Sequence, residues 1–282
     1  MITAVTIFIL FFAVQMICGL AALLFSNIDK LGSNIPLTQL IVQPTTFGIC
    51  LLVGEALLAF GLWWWFFKIE KPVRQRSIDN PELSSIFKFR PIKRELPKQS
   101  ISLLMGIGAV VATLLIAAGL SSIEEYFDMA DNGSTEMFMK MKDSPLCLIL
   151  LCIVGPIAEE LCFRVGILRS LYRKKIAGWL ASFITALLFA LVHGNLAQGT
   201  AALIVGFALG LMYLRTGDLR LCLPTHILNN TMAVAMMFLP TEFEVGLPSG
   251  IILTLIGVLL LFFTLFSHSS STASSPSYHT LQ

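Results

Sequence analysis

The sequence has little charge for its length. Only 13% of its 282 residues are Asp, Glu, Lys or Arg, whereas 56% are hydrophobic and the mean hydropathy is +0.83. Because soluble domains carry about 25% charged residues, this shortage excludes an ordinary soluble domain. The net charge of +2 is too small to indicate a nucleic-acid partner. The composition predicts an all-α fold, a polytopic membrane helix bundle.

The chain also lacks cysteine pairs with the spacing of a metal site, and it lacks the zinc-protease pattern HExxH. Isolated cysteines in apolar segments are usually small packing residues, so we expect no disulfide framework. All six cysteines fall in such segments: Cys18, Cys50, Cys147, Cys152, Cys162 and Cys222.

Long apolar runs are what the chain has in abundance. A transmembrane helix needs about 20 mostly apolar residues, and we predict about eight such helices. The predicted spans are 1–25, 47–67, 101–120, 146–168, 177–193, 201–214, 221–239 and 250–266. Threading them alternately puts 15 of the 19 Lys and Arg residues on one side, in loops 68–99, 169–175 and 215–220. By the positive-inside rule, we expect an integral protein of the plasma membrane with both termini cytoplasmic.

The loops divide the chain into three regions. We predict an N-terminal two-span region at 1–100 that includes a basic cytoplasmic linker, a multi-helix domain at 101–266, and a disordered Ser/Thr-rich tail at 267–282. The linker is long enough for a short amphipathic helix around 81–89. It is most simply a solvated cytoplasmic face, and contact with anionic membrane lipid is the alternative.

Ionisable residues are rare within the apolar spans, and a charge near the bilayer centre costs about 2.5–3.5 kcal/mol. Glu160 lies four residues before Arg164, so the two can pair along one helix face. Glu159, about 100° around the helix, has no such neighbour. The pattern indicates one carboxylate held by an arginine and one available for chemistry. Glu55 has no second polar group on its helical face, so a structural or partner-helix contact is favoured over a role in a site.

Two histidines are predicted to lie at the depth of Glu159. Glu159 and His193 are symmetric about the basic turn between their helices, and Glu159 and His226 each lie about ten residues, roughly 15 Å, from the basic end. His226 and Asn230 are four residues apart and face one groove, and Pro224 is expected to open the helix before them. We expect a water-accessible cavity that opens toward the cytoplasm.

A carboxylate, two imidazoles and an amide suit the hydrolysis of an amide bond. Glu159 would take a proton from water as that water attacks the carbonyl. His193 would hold the water or share its proton, while His226 and Asn230 would donate hydrogen bonds to the oxyanion.

Three motifs resemble, in order, those of the CPBP intramembrane proteases, which include CAAX prenyl endopeptidases and the bacteriocin-processing or self-immunity proteins called Abi. The motifs are Glu159-Glu160-x-x-x-Arg164, Phe189-x-x-x-His193 and His226-x-x-x-Asn230. The resemblance implies that 101–266 is a protease domain in which Glu159 is the base, His193 acts at the water and His226 and Asn230 form the oxyanion site. It also implies that Glu160 and Arg164 support this geometry, without a covalent intermediate.

The resemblance implies catalysis without a cofactor, although two histidines and a glutamate can also bind zinc, which stays an alternative. The expected partner is a peptide or protein substrate at the membrane, and prenylated CAAX proteins, leader peptides and membrane-protein tails all stay open. A non-proteolytic scaffold or self-immunity protein on the same fold is the alternative function. A proton-coupled transporter is a weaker one, because the sequence shows no internal repeat.

Overall fold

The computed structural model describes residues 3–30, 39–71, 101–127, 133–217, 219–238 and 246–266. Besides a 3₁₀ helix at Ile28–Lys30, nine helices occur in these ranges, which contain no strand. They are α1 (Ala4–Ser26), α2 (Pro44–Glu70), α3 (Leu103–Tyr126), α4 (Ser134–Met141), α5 (Pro145–Arg173), α6 (Gly178–Val192), α7 (Leu196–Thr216), α8 (Cys222–Met236) and α9 (Leu247–Phe266). The predicted all-α membrane bundle is confirmed. The predicted helix at 81–89 and the tail at 267–282 lie outside the described residues.

Among the described helices, six are long and apolar enough to cross a membrane, namely α1, α2, α3, α5, α7 and α9. The predicted spans 177–193 and 221–239 correspond to α6 and α8, which have 15 residues each. A helix of that length is about 22 Å long and falls short of the roughly 30 Å hydrocarbon core. Polar residues at the ends of α6 and α8 therefore lie within the thickness of the bundle.

The turn from α6 to α7 holds His193 between the end of α6 and the start of α7. Gly194 adopts the left-handed conformation at φ 63°, which a glycine enters without steric cost. The Asn195 side chain then caps α7, because its Oδ1 accepts a hydrogen bond from Gln198 N at 3.1 Å. This tight turn fixes the start of α7 next to the end of α6.

Glycines let neighbouring helices approach closely at two interfaces. A Cβ on Gly119 of α3 would clash with the carbonyl oxygen of Gly250 of α9, so these two backbones are in contact. Between α6 and α7, Gly206 faces the Phe189 ring and Gly210 faces the Ser182 hydroxyl. Small residues at membrane helix interfaces act in this way because apolar lipid supplies no hydrophobic driving force between helices.

The first helix packs against the centre of the bundle. Ile7 and Phe11 of α1 are buried, and Phe11 makes an edge-to-face contact with Phe163 of α5 at 5.2 Å between ring centroids. A Cβ on Gly166 would approach Ile7 Cδ1 to 2.9 Å, so α1 lies directly on α5 at this level. Helices from the N-terminal region thus form part of the same hydrophobic core as α5.

Candidate active site

The backbone of α5 is irregular on both sides of Pro156. Proline has no N–H, so it cannot bond to a carbonyl one turn earlier, and its ring crowds the preceding turn. Wider π-helical turns at Leu150–Val154 and Glu160–Leu168 flank this position. Such turns often occur at functional sites because they redirect side chains. Here they bracket the pair Glu159 and Glu160.

Glu160 is sealed inside the protein and held by Arg164. The Glu160 Oε1 to Arg164 Nη1 distance is 3.1 Å, and the two side chains are 0% and 1% exposed. Arg164 Nη2 also donates to the carbonyl oxygen of Gly206 at 3.3 Å, and its guanidinium lies over the Phe189 ring at 5.1 Å. Because a buried charge needs a partner, this ion pair explains how both residues are tolerated in a membrane helix.

His226 connects the sealed glutamate to its neighbour Glu159. Its Nδ1 lies 2.9 Å from Glu160 Oε1, and its Nε2 lies 3.4 Å from Glu159 Oε2. Because Glu160 is paired with Arg164 and accepts hydrogen bonds, Nδ1 of His226 is the donor. The four side chains form a continuous series, Arg164–Glu160–His226–Glu159. Pro224 lies in the first turn of α8, where proline is tolerated, so it does not open the helix as expected.

His193 lies just after α6 with one ring nitrogen committed to the backbone. Its Nδ1 donates to the carbonyl oxygen of Phe189 at 2.8 Å, because a carbonyl cannot donate. In the neutral ring, Nε2 is then the acceptor. The Phe189 ring makes edge-to-face contacts with both His193, at 4.8 Å, and His226, at 5.9 Å. One aromatic ring therefore braces both imidazoles.

Asn230 is anchored to α5 by one of its two amide hydrogens. Its Nδ2 donates to the carbonyl oxygen of Leu151 at 3.1 Å. Pro156, five residues after Leu151, has no N–H to offer that carbonyl, so the asparagine takes the place of a missing backbone donor. The second hydrogen on Nδ2 remains available for another acceptor.

A cavity of about 260 Å³ joins these residues. Glu159, His193 and Asn230 all line it, whereas Glu160, Arg164 and His226 lie behind its wall. The other lining residues are Phe11, Gln15, Phe47, Leu51, Glu55, Phe138, Met141, Leu150, Leu151, Gly155, Pro156, Val192 and Gln198. The structure thus brings all six predicted site residues to one place, three at the cavity surface and three as a supporting layer.

Two polar residues of the cavity wall were not predicted as part of a site. Gln15 Nε2 of α1 donates to Glu55 Oε1 of α2 at 2.8 Å, and both residues line the cavity that contains Glu159. A Cβ on Gly155 would approach Glu55 Oε2 to 3.2 Å, so Glu55 lies against α5 one turn before Glu159. The sequence contained a signal for the contact between Gln15 and Glu55, because the two residues are symmetric about the connection between α1 and α2.

The cavity lies in the opposite half of the bundle from the one we expected. Its lining residues come from α4, from the first halves of α2 and α5, from the turn between α6 and α7, and from the middle of α1 and α8. The basic turns are at the other ends of α5 and α7. Distances along a helix give the depth of each residue, but they do not show which half of the bundle is tightly packed. The lining therefore does not reach the side of the basic turns, where we expected the opening.

Within the described residues, no set of three or more His, Cys, Asp and Glu side chains has the arrangement of a metal site. Nδ1 of His226 and Nδ1 of His193 are both engaged as hydrogen-bond donors.

Buried carboxylates, imidazoles and an amide around a cavity in a membrane helix bundle define the class of membrane-embedded hydrolases. Residues 142–232 match the sequence model of a family described as type II CAAX prenyl endopeptidase Rce1-like. Together with the relative described next, this match supports the resemblance to the CPBP family and the prediction of a membrane peptide hydrolase. The matched region begins just before α5 and ends within α8, so it contains all six site residues.

Among curated proteins, the chain is similar to "Putative membrane peptidase YdiL" of Bacillus subtilis (strain 168). The two are 29% identical over 164 residues, which is 54% of this chain and 67% of the relative. No solved structure matches the chain.

Proposed function

We propose that this protease cleaves peptide bonds with a water molecule that Glu159 activates. The observation that carries the proposal is the position of Glu159, which alone among the series Arg164–Glu160–His226–Glu159 lines the cavity. A general base must reach the proton that it removes. Glu160 is completely buried and already paired, so it supports the site and does not meet water.

The other residues have roles that follow from their hydrogen bonds. His193 has its free Nε2 lone pair as an acceptor, which suits holding the attacking water. His226 lies behind the cavity wall with its Nδ1 donating to Glu160, so the oxyanion role predicted for it requires a proton on Nε2, the nitrogen that faces Glu159. Asn230 has one uncommitted amide hydrogen at the cavity and supplies a second oxyanion donor.

The reaction balances without a covalent enzyme intermediate. Glu159 takes a proton from water while the water oxygen bonds to the scissile carbonyl carbon, and the carbonyl oxygen becomes an oxyanion. When this tetrahedral intermediate collapses, the carbon–nitrogen bond breaks and Glu159 returns its proton to the leaving nitrogen. The products are a peptide with a new carboxyl group and a peptide with a new amino group.

We place the protein in the plasma membrane with its basic linker and basic turns in the cytoplasm, which puts both termini there as well. Of the 19 Lys and Arg residues, 15 lie in these three segments, the bias that positions membrane proteins. Its partners are membrane lipid and a peptide or protein substrate. CAAX-type processing and the processing of leader or membrane peptides are the two substrate classes that the family suggests.

Substituting Glu159 by Gln tests the mechanism, because glutamine keeps the size of the side chain but cannot accept the proton. Loss of a general base typically costs about 10²–10⁴-fold in rate. We therefore expect the products of cleavage to disappear from membranes that contain the E159Q variant. The measurement compares peptide termini by mass spectrometry in membranes with wild type, with E159Q and with no protease. Products that persist with E159Q would remove the glutamate mechanism, and products absent even with wild type would favour a non-proteolytic scaffold.

A chelator tests the absence of a metal in the same system. Purified wild-type protein in detergent should cleave a peptide identified in this way at the same rate with and without EDTA. Activity that EDTA removes and zinc restores would establish the zinc alternative.

A further inference from the structure

Contacts between residues at helix ends show which ends lie on the same side of the bundle. Arg173 at the end of α5 forms an ion pair with Glu70 at the end of α2, with 3.0 Å between Nη1 and Oε1. At the other side, Lys142 between α4 and α5 donates from Nζ to the carbonyl oxygen of Met237 after α8, at 3.0 Å. The ends of α2 and α5 that carry basic residues thus lie together, and the α4–α5 turn lies at the opposite face.

The cavity belongs to the face that is opposite to the basic ends. Phe138 and Met141 of α4, and Gln198 in the first turn of α7, form part of its wall. Glu159 lies fourteen residues from each end of α5, that is, in the middle of the helix. The cavity therefore extends from the level of α4 down to the middle of the bundle.

The half of the bundle between Glu159 and the basic turns is tightly packed. Every residue of α5 from Glu160 to Leu168 is buried. Phe163 contacts Phe11 on one side and Phe189 on the other, with ring centroids 5.2 and 5.0 Å apart. Protein interiors packed in this way leave little space for water, so a path from the basic side to Glu159 is blocked at this layer.

We infer that water and substrate reach Glu159 from the non-cytoplasmic side of the membrane, so the substrate is a peptide segment presented on that side. The side itself follows from the basic linker and turns, which mark the cytoplasmic face. The substrate class rests on the proposed function. Access from this side then distinguishes among the substrate classes that the sequence left open. A segment of a secreted or membrane-anchored peptide at the outer surface can enter the cavity, whereas a chain terminus confined to the cytoplasm cannot.

Cysteine labelling in the full-length protein tests the inference without any substrate. Four of the native cysteines are buried, so only Cys50 and Cys152 are replaced by Ala to prepare the parent. Single cysteines are then introduced at Gln198 in the cavity wall, at Glu136 on α4 and at Lys174 in the basic turn after α5. Glu136 and Lys174 are exposed and serve as the two reference positions. A charged, membrane-impermeant maleimide is applied to spheroplasts of a bacterial host.

We expect Gln198→Cys and Glu136→Cys to be labelled equally before and after permeabilisation, and Lys174→Cys to be labelled only afterwards. Labelling of Gln198→Cys only after permeabilisation, or labelling of Lys174→Cys in intact spheroplasts, would overturn the inference. So would a Gln198→Cys that stays unlabelled in both conditions although it reacts in denatured protein. If the labelling agrees but E159Q leaves all cleavage products in place, the proposed hydrolysis fails while the sidedness stands.

Discussion

The series Arg164–Glu160–His226–Glu159 divides four charged or polar side chains between two environments. Glu160 and Arg164 have essentially no exposure, whereas the Glu159 side chain is 17% exposed. A buried ion pair adds little stability by itself, because removing both charges from water costs about as much as their attraction returns. Its role here is better described as positional, since it holds the histidine that faces the cavity carboxylate.

Arg164→Lys tests that positional role. A lysine keeps the charge, but it cannot contact Glu160 and the Gly206 carbonyl from one planar group or lie flat over Phe189. Because hydrogen bonds to charged groups are worth about 1.5–3 kcal/mol, we expect turnover to fall about 10-fold or more. The readout is kcat and its pH profile, since a displaced His226 changes the profile and mere loss of stability does not. A lysine variant with the wild-type rate, profile and folded yield would contradict the role.

At the scale of helices, the site depends on how closely α6 and α7 approach. A Cβ on Gly206 would point at the Phe189 ring. The same ring contacts both site histidines and lies beneath the Arg164 guanidinium. A shift of α7 away from α6 would therefore move several site groups together. Close packing transmits such displacements because the interior has little free volume.

Gly206→Ala measures this coupling. The added Cβ would lie 2.9 Å from Phe189 Cδ1, so the ring or the helix must move. Overpacking of this kind costs typically about 1–3 kcal/mol. We expect a lower unfolding temperature in detergent and a lower cleavage rate per folded molecule. Gly61→Ala in α2 is the matched control, because a Cβ there meets nothing within 4 Å. Equal behaviour of the two variants would show that the α6–α7 contact does not govern the site.

At the scale of the whole molecule, helices on both sides of the linker build one cavity. Phe11 and Gln15 of α1 and Glu55 of α2 line the cavity that holds Glu159, and Ile7 packs against α5. The division at residue 100 stays a prediction from the sequence. This packing shows only that the helices of 1–100 and those of 101–266 share a core.

Truncation tests how far the two regions depend on each other. A chain that begins at Ile101 lacks α1 and α2, exposes the face of α5 that carries Phe163 and Gly166, and loses one wall of the cavity. We expect little monodisperse protein in detergent and no cleavage. Co-expression of residues 1–100 should restore both, and deletion of 267–282 is the control. A truncated chain with full yield and activity would show that α1 and α2 are dispensable.

The sequence by itself determined the fold class and most of the helical segments, and it predicted the residues that the structure brings together at one cavity. Apolar runs of about 20 residues can only be helices in a membrane, and the cost of charge in lipid singles out Glu159, Glu160, His193 and His226. Helical spacing also predicted the pair of Glu160 with Arg164, now observed at 3.1 Å. Roles for the site residues, and the absence of a metal, stay predictions.

Only the tertiary structure decided which face each side chain presents and which half of the bundle is open. Spacing along a helix measures depth, but the rotation of that helix and the packing of its neighbours depend on contacts between segments far apart in the chain. For that reason His226 was placed at the right depth, while its position between two carboxylates was not foreseen. The half that is packed shut is set in the same way, by Phe11, Phe163 and Phe189 from three different helices.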